Sequence, residues 1–296
     1  MSGVPEVTST DTGPARSRRS SFVVATVTTL IVVTVMASVV TFAYAYIQRT
    51  SVFSINPHGP TPYPVGVRDA HATSGVAPPG PKALTHFREV YVTTFPGTTL
   101  PSGWYLFTGP QAGSPGGRFG ARHVTVHDGT LELRTFKDPV FKDAWVTGGL
   151  CQCGRPMTYG AFFVRSRVSG PGPNEVELLW PANNQWPPEI DFNETGGRVS
   201  ATSSTVHWGP INQIEQRFVT VNMTKWHTWG VIWTKGEIIY TVDGQVWGTI
   251  ASPEEVAHVP MTLDFEQRTL CALHRQCPTH PVSMDVAWVA EYAPTH

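Results

Sequence analysis

Charge is scarce in this chain and favours neither sign. Only 15% of the 296 residues are Asp, Glu, Lys or Arg, and 21 basic side chains offset 22 acidic ones for a formal net charge of -1. That balance removes the electrostatic case for a nucleic-acid partner, which needs a basic surface. Long amphipathic helical patterns are also missing from the body of the chain, which points away from an all-helical domain. What is abundant is Gly (27), Pro (26) and Trp (10), a mixture that implies many turns and an aromatic-rich surface or cleft.

The first 84 residues lack β patterning. Residues 1–20 are polar and end in Arg16, Arg18 and Arg19, which reads as a cytoplasmic tail. From Phe22 to Ile47 no charge occurs. Roughly 20 apolar residues suffice to cross a bilayer as a helix, so residues 21–47 are expected to be a transmembrane signal-anchor. The basic cluster precedes the span, and the positive-inside rule then places the rest of the chain outside the cell. Ala43-Tyr44-Ala45 also has the form of a signal-peptidase site. The competing reading is therefore a secreted protein cleaved after Ala45, although signal cores run only about 7–15 residues. Residues 48–84 are rich in Pro, Gly, His and Ser and show no periodicity. They are expected to form a disordered linker, and at about 3.1 Å per residue such a spacer reaches roughly 100 Å.

From residue 85 to the end, the pattern is all-β. The run "HVTVHDGTLELRTF" gives two strands around Asp128-Gly129, a hairpin signal. In "GAFFVRSRV", Phe162, Val164 and Val168 alternate with Arg165 and Arg167. The runs "TWGVIW", "EIIYTV" and "QVWGTI" form a meander turning at Lys235-Gly236 and Asp243-Gly244. Ser252-Pro253-Glu254-Glu255 carries the signals of a short helix start, stopped before Pro260. Many short strands at regular spacing argue a sandwich.

One stretch stands out from this background: Glu189-Ile190-Asp191-Phe192-Asn193-Glu194, after Trp186-Pro187-Pro188. Strand side chains alternate with period two, so Glu189 and Asp191 share a face and Glu194 points away. A single β-bulge returns Glu194 to that face, a device used beside active sites. Four effective strand steps then span roughly 13 Å, and two side chains each reaching about 4 Å leave roughly 5 Å between the carboxyl groups. Retaining glycosidases hold their pair about 5–5.5 Å apart, whereas inverting ones need roughly 6.5–9.5 Å. Trp180, Trp186 and Trp208 lie near this cluster in sequence and are candidate platforms for the C–H faces of sugar rings.

The hexapeptide "EIDFNE" resembles the E-x-D-x-x-E signature of glycoside hydrolase family 16, the laminarinase and lichenase group. The resemblance extends to "TYGAFFVRSRV" upstream and to "VHW", "KWHTWGVIW" and "IIYTVDGQVWG" downstream, from about Phe87 to Tyr292. It implies a jelly-roll sandwich of two curved antiparallel sheets, concanavalin A-like, with the cleft across the concave sheet. It implies Glu189 as nucleophile, Glu194 as general acid/base and Asp191 as the residue that orients the nucleophile. It also places His207 in the cleft and matches Asp285 to an Asp that holds a structural calcium in some relatives. No cofactor is required for such chemistry.

The expected activity is endo-hydrolysis of a β-glucan, β-1,3 or mixed β-1,3/1,4, by a monomer. A transglycosylase of the same fold and a non-catalytic glycan-binding sandwich are the rival functions. The runs "PNEVELLW" and "TLDFEQRTLCALHRQC" depart from the commoner family pattern and leave the polysaccharide open. The sequons at Asn193 and Asn222 are read as chance matches, since a glycan on Asn193 would fill the cleft.

Four cysteines, Cys151, Cys153, Cys271 and Cys277, remain to be placed. Export favours disulfides. Pairing Cys151 with Cys153 closes a very tight ring, so bridges from these two to the later pair are preferred. A Cys271–Cys277 loop with the other two free is the alternative. Their spacing does not suit zinc.

Overall fold

The computed structural model describes residues 52–56 and 58–295. The expected tail and apolar span at 1–47 lie outside the described residues. Among the described residues, no helix is long and apolar enough to cross a membrane.

Two sheets face each other, as expected. One has eight strands in the order 52–54, 213–220, 201–208, 189–194, 174–181, 261–268, 149–151, 105–106. Every pair is antiparallel except the first, in which residues 52–54 run parallel to 218–220. The other sheet carries 144–146, 130–138, 282–294, 160–168, 227–233, 238–242 and 245–250, with 87–93 and 124–127 attached at its side. Helical structure among the described residues is confined to three 3-10 turns at 121–123, 139–141 and 271–273.

The main core lies between the sheets. Leu179, Ile190, Phe192, Val206 and Phe265 from one sheet meet Phe162, Val164, Trp229, Val231 and Tyr240 from the other. The alternation in "GAFFVRSRV" holds, since Phe162, Val164 and Val168 belong to this core. The turns hold as well. Asp128-Gly129 and Asp243-Gly244 have positive φ at both residues, the conformation a two-residue type I′ turn requires. The short helix expected at 252–255 is instead a single turn, closed by Glu255 N–H to the Ser252 carbonyl. The chain then turns Val256 and Ala257 into the core, and the Ala257 carbonyl accepts from Trp233 Nε1 at 2.9 Å.

The expected disordered linker is an ordered part of the domain. Residues 67–68 and 76–77 pair as a small hairpin. Trp288 Nε1 donates to the Val76 carbonyl at 2.9 Å, the Tyr292 hydroxyl to those of Pro79 and Gly80, and Thr228 Oγ1 to that of Val65. Beneath this covering, Phe163, Ile232, Trp288 and Tyr292 form a second apolar cluster with Tyr63, Val76 and Leu84. Strands 160–168 and 282–294 are therefore buried on both faces, and the Pro/Gly-rich segment is what covers their outer side. The domain begins at or before Val52, not at residue 85.

The disulfide expectation is also corrected. Cys151 pairs with Cys153, and Cys271 with Cys277. Register explains why the long-range bridges do not form. Cys151 lies opposite Asp264 on the antiparallel strand 261–268. Cys271 follows Asp264 by seven positions along that direction, a separation on the order of 20 Å at strand rise. A disulfide tolerates only about 4.4–6.8 Å between Cα atoms.

Candidate active site

The six-residue acidic stretch is a strand of the eight-stranded sheet, Glu189–Glu194. Towards strand 174–181 its pairing runs Glu177 with Asn193 and then Leu178 with Asp191, passing over Phe192. Towards strand 201–208 it runs Asp191 with Thr205 and then Glu194 with Ser203. One residue too many has been accommodated, and the bulge turns Phe192 and Asn193 inward while Glu194 returns to the face of Glu189 and Asp191. All three carboxylates line one cavity of about 160 Å³, together with His207, Glu266 and Arg268 among others.

Glu194 is held from both flanking strands, and Glu189 from the loop that precedes its own strand. Glu189 Oε2 accepts from Trp186 Nε1 at 2.7 Å. Glu194 accepts from Asn174 Nδ2 at 2.9 Å and from Thr205 Oγ1 at 3.2 Å. His207 Nε2 lies 3.4 Å from Asp191 Oδ2 and 3.9 Å from Glu189 Oε2, while its Nδ1 meets Asn212 Oδ1 at 2.8 Å. Both ring nitrogens thus face oxygen atoms, an arrangement that the doubly protonated imidazolium satisfies.

The electrostatics follow from burial and crowding. Burial drives the Asp191 carboxyl well above the usual carboxylate range, the Glu189 and Glu194 charges push the same way, and His207 pulls against them. Glu189 is also raised by burial, but the His207 charge and the Trp186 hydrogen bond oppose the rise. For His207, burial acts downward; the hydrogen bond and charge of Asp191, with the Glu189 charge and Asn212, overcome it and push the imidazole up to about 9. The Asp191–His207 pair therefore carries a proton through neutral pH. On the far side of strand 174–181, Glu266 is raised by burial and partly relieved by Arg268, whose guanidinium lies 2.9 Å from it.

Of the aromatic residues expected near the cluster, Trp186 stands at Glu189, with its ring centroid 5.6 Å from that of His207. Trp180 lines an adjoining cavity of about 440 Å³ that shares Glu266 and Arg268 with the first. The structure does not bring Trp208 to the cleft. It follows His207 on the same strand, points to the opposite face and packs against the core. Asn174, Thr205, Glu266 and Arg268 were missed from sequence. Their signal was parity: Asn174 shares a strand face with Val176 and Leu178, and Glu266 with Asp264 and Arg268.

Asp285 does not fit a calcium seat. Its Oδ2 lies 2.9 Å from Arg167 Nε, and that guanidinium sits over the Trp226 ring. A cation there would meet a charge of its own sign. Among the described residues, donor atoms converge within 4.8 Å at Glu189, Asp191 and His207, where Trp186 and Asn212 already engage two of the three side chains.

Comparison with known proteins agrees with this geometry. The curated endo-1,3-1,4-beta-glycanase ExsH of Rhizobium meliloti is 34% identical over 110 residues, which cover 36% of this chain and 23% of that protein. The match thus spans about a quarter of that relative's length. The laminarinase catalytic domain of Thermotoga maritima superposes with a TM-score of 0.63 at 17% identity, covering 72% of this chain and all of that domain. The laminarinase of Rhodothermus marinus gives a TM-score of 0.62 at 20% identity, covering 71% of this chain and 99% of that one. The family described as glycosyl hydrolases family 16 matches residues 117–269, a span that holds the whole acidic strand and both its neighbours. The chain belongs to glycosyl hydrolase family 16.

Proposed function

We propose that this protein is a retaining endo-β-glycosidase that hydrolyses β-glucan-type polysaccharide, with β-1,3 or mixed β-1,3/1,4 linkages. The observation that carries the reading is the bulge, which brings Glu189 and Glu194 to one cavity with Asp191 between them. Glu194 gives its proton to the glycosidic oxygen as Glu189 attacks the anomeric carbon. The bond to the leaving sugar breaks and a glycosyl ester forms on Glu189. Glu194, now a carboxylate, takes a proton from water, whose oxygen attacks the same carbon and releases Glu189. Two inversions give net retention. Asp191, its charge neutralised by the proton it shares with His207, holds the nucleophile without adding a second full charge to it. The relatives, an endo-1,3-1,4-beta-glycanase and laminarinases, support this choice of substrate.

Glu194→Gln is expected to lower kcat on laminarin or mixed-linkage glucan by about 10²–10⁴-fold, and Glu189→Gln to abolish turnover with the fold intact. Proton NMR of the first product should show the β-anomer before mutarotation. An α-anomer, or near-native turnover in Glu189→Gln, refutes the reading.

We also propose that the domain works outside the membrane, as a monomer, behind the apolar segment at 21–47. The two disulfides support an oxidising compartment. Protease digestion of intact cells carrying the full chain should remove the domain. Protection until lysis would reject this placement.

A further inference from the structure

We propose that Glu177 and Asn193 form a clamp on the inner side of the catalytic strand that sets the aim of Glu194, so that Glu177 is a positioning residue for the reaction. The inference rests on the acid/base role proposed above for Glu194.

The bulge creates a problem that a regular strand would not have. Phe192 and Asn193 both turn into the space between the sheets. Phe192 suits that space and is fully buried. Asn193 brings an amide into it with only 1% of its surface exposed. A buried amide without partners is strongly unfavourable. If the strand relaxed to regular pairing, Asn193 would swing to the cleft and Glu194 would turn inward, because a one-residue slip exchanges the two faces. The bulge therefore persists only if Asn193 is satisfied where it is.

Partners arrive from both flanking strands. Asn193 Oδ1 accepts from Thr202 Oγ1 at 2.7 Å. On the other side, Glu177 is the cross-strand partner of Asn193 at the point where the register shifts. The Glu177 side chain is completely buried, and its Oε1 accepts from Ser166 Oγ on the opposing sheet. Burial pushes its carboxyl up to about 8, with Ser166 and Asn193 acting against that rise. Below that pH the group is neutral and stands beside its register partner Asn193 without placing a charge beneath the cleft. Glu175, two residues earlier on the same face, is occupied by Gln267 Nε2 at 2.9 Å. An apolar side chain would fill the place of Glu177 with no desolvation penalty, so its carboxyl serves the polar contact and not the packing.

The test separates aim from stability. Glu177→Leu keeps the volume and deletes the carboxyl that faces Asn193 across the register. Its kcat on polysaccharide should fall by about 100-fold, the scale of general acid catalysis. KM should stay within about threefold, and the protein should still melt cooperatively, at a lower temperature, because the Asn193 amide loses a partner. A dinitrophenyl oligoglucoside with added azide needs neither acid nor base from Glu194. On that pair Glu177→Leu should return to within about threefold of the wild type. Glu177→Gln, which still accepts and donates, should recover most of the activity on polysaccharide. Thr202→Val weakens the clamp from the other strand and should give the same kcat loss in milder form, about five- to tenfold; it decides the matter if Glu177→Leu does not fold. Wild-type kcat on polysaccharide in Glu177→Leu or Thr202→Val overturns the clamp, as does equal loss on both substrates. Glu194→Ala is the control: azide rescue of that variant upholds the acid/base assignment independently, and its absence condemns that assignment instead.

Discussion

The indole of Trp186 donates to the Glu189 carboxylate at 2.7 Å while its ring stands at the rim of the cavity, 43% exposed. In the proposed mechanism one side chain thus combines a sugar platform with an orienting bond to the nucleophile. Trp186→Phe keeps a ring and removes the donor. A hydrogen bond to a charged group contributes about 1.5–3 kcal/mol, so kcat/KM should fall by roughly tenfold or more. The bond also lowers the proton affinity of Glu189, so its loss should move the acid limb of the kcat/KM profile to higher pH. Trp186→Ala should add a rise in KM. An unmoved acid limb in Trp186→Phe would show that the bond does not tune the nucleophile.

His207 acts on the same carboxylate through charge. It holds Glu189 down, and its own proton is retained up to about 9. In His207→Gln the cation is gone at every pH. Glu189 then binds its proton more tightly, and the acid limb should move upward by several tenths of a pH unit or more. The wild type should also lose activity as the pH passes about 9, where the imidazolium deprotonates. The variant should lack that limb. Matching profiles for the two proteins, measured on the same glucan, would remove His207 from the machinery.

The acidic strand was legible because its spacing posed a contradiction. Glu189, Asp191 and Glu194 cannot share a face in a regular strand, and the bulge that resolves this is where the structure has it. The hairpin at Asp128-Gly129 was legible for a similar local reason, since the turn conformation selects those residues. The covering segment was not. It makes its contacts largely through backbone carbonyls, as at Val65, Val76, Pro79 and Gly80, and carbonyls leave no mark on composition. The readable sign lay in its partners: Phe163, Trp288 and Tyr292 occupy the outward parity of their strands. An apolar outer face demands a cover. The cysteine pairing and Trp208 were misjudged because ring size and sequence proximity were weighed in place of strand register and parity.

Residues 52–84 should therefore be indispensable to the domain. Phe163, Trp288 and Tyr292 are buried under them to within about a hundredth of their surface. Large aromatic side chains bury about 150–250 Å² each. At about 25 cal/mol per Å², exposing all three forfeits on the order of 10 kcal/mol. That is comparable with the roughly 5–15 kcal/mol by which whole domains are stable. A chain beginning at Thr85 should fail to fold or aggregate, whereas one beginning at Arg49 should melt cooperatively. Equal melting temperatures for the two in calorimetry would reduce the segment to a passive covering.

Glu291 gives the protein a stability that depends on pH without touching the site. It is 1% exposed on strand 282–294. Burial raises its carboxyl from the ordinary 4.5 to about 8, while Gln152 and Arg155 pull the other way. Because the folded chain holds this proton more tightly than the unfolded one, the contribution is fully present below about 4.5 and is lost as pH rises through about 8. Glu177 acts in the same direction over the same window. Glu291→Gln removes one of these contributions. Its melting temperature should fall less steeply than the wild type's between pH 5 and about 8, and the variant should be the more stable protein above that range. Calorimetry in matched buffers would detect the difference. Parallel curves would mean that Glu291 is already ionised in the folded protein, with Arg155 outweighing its burial.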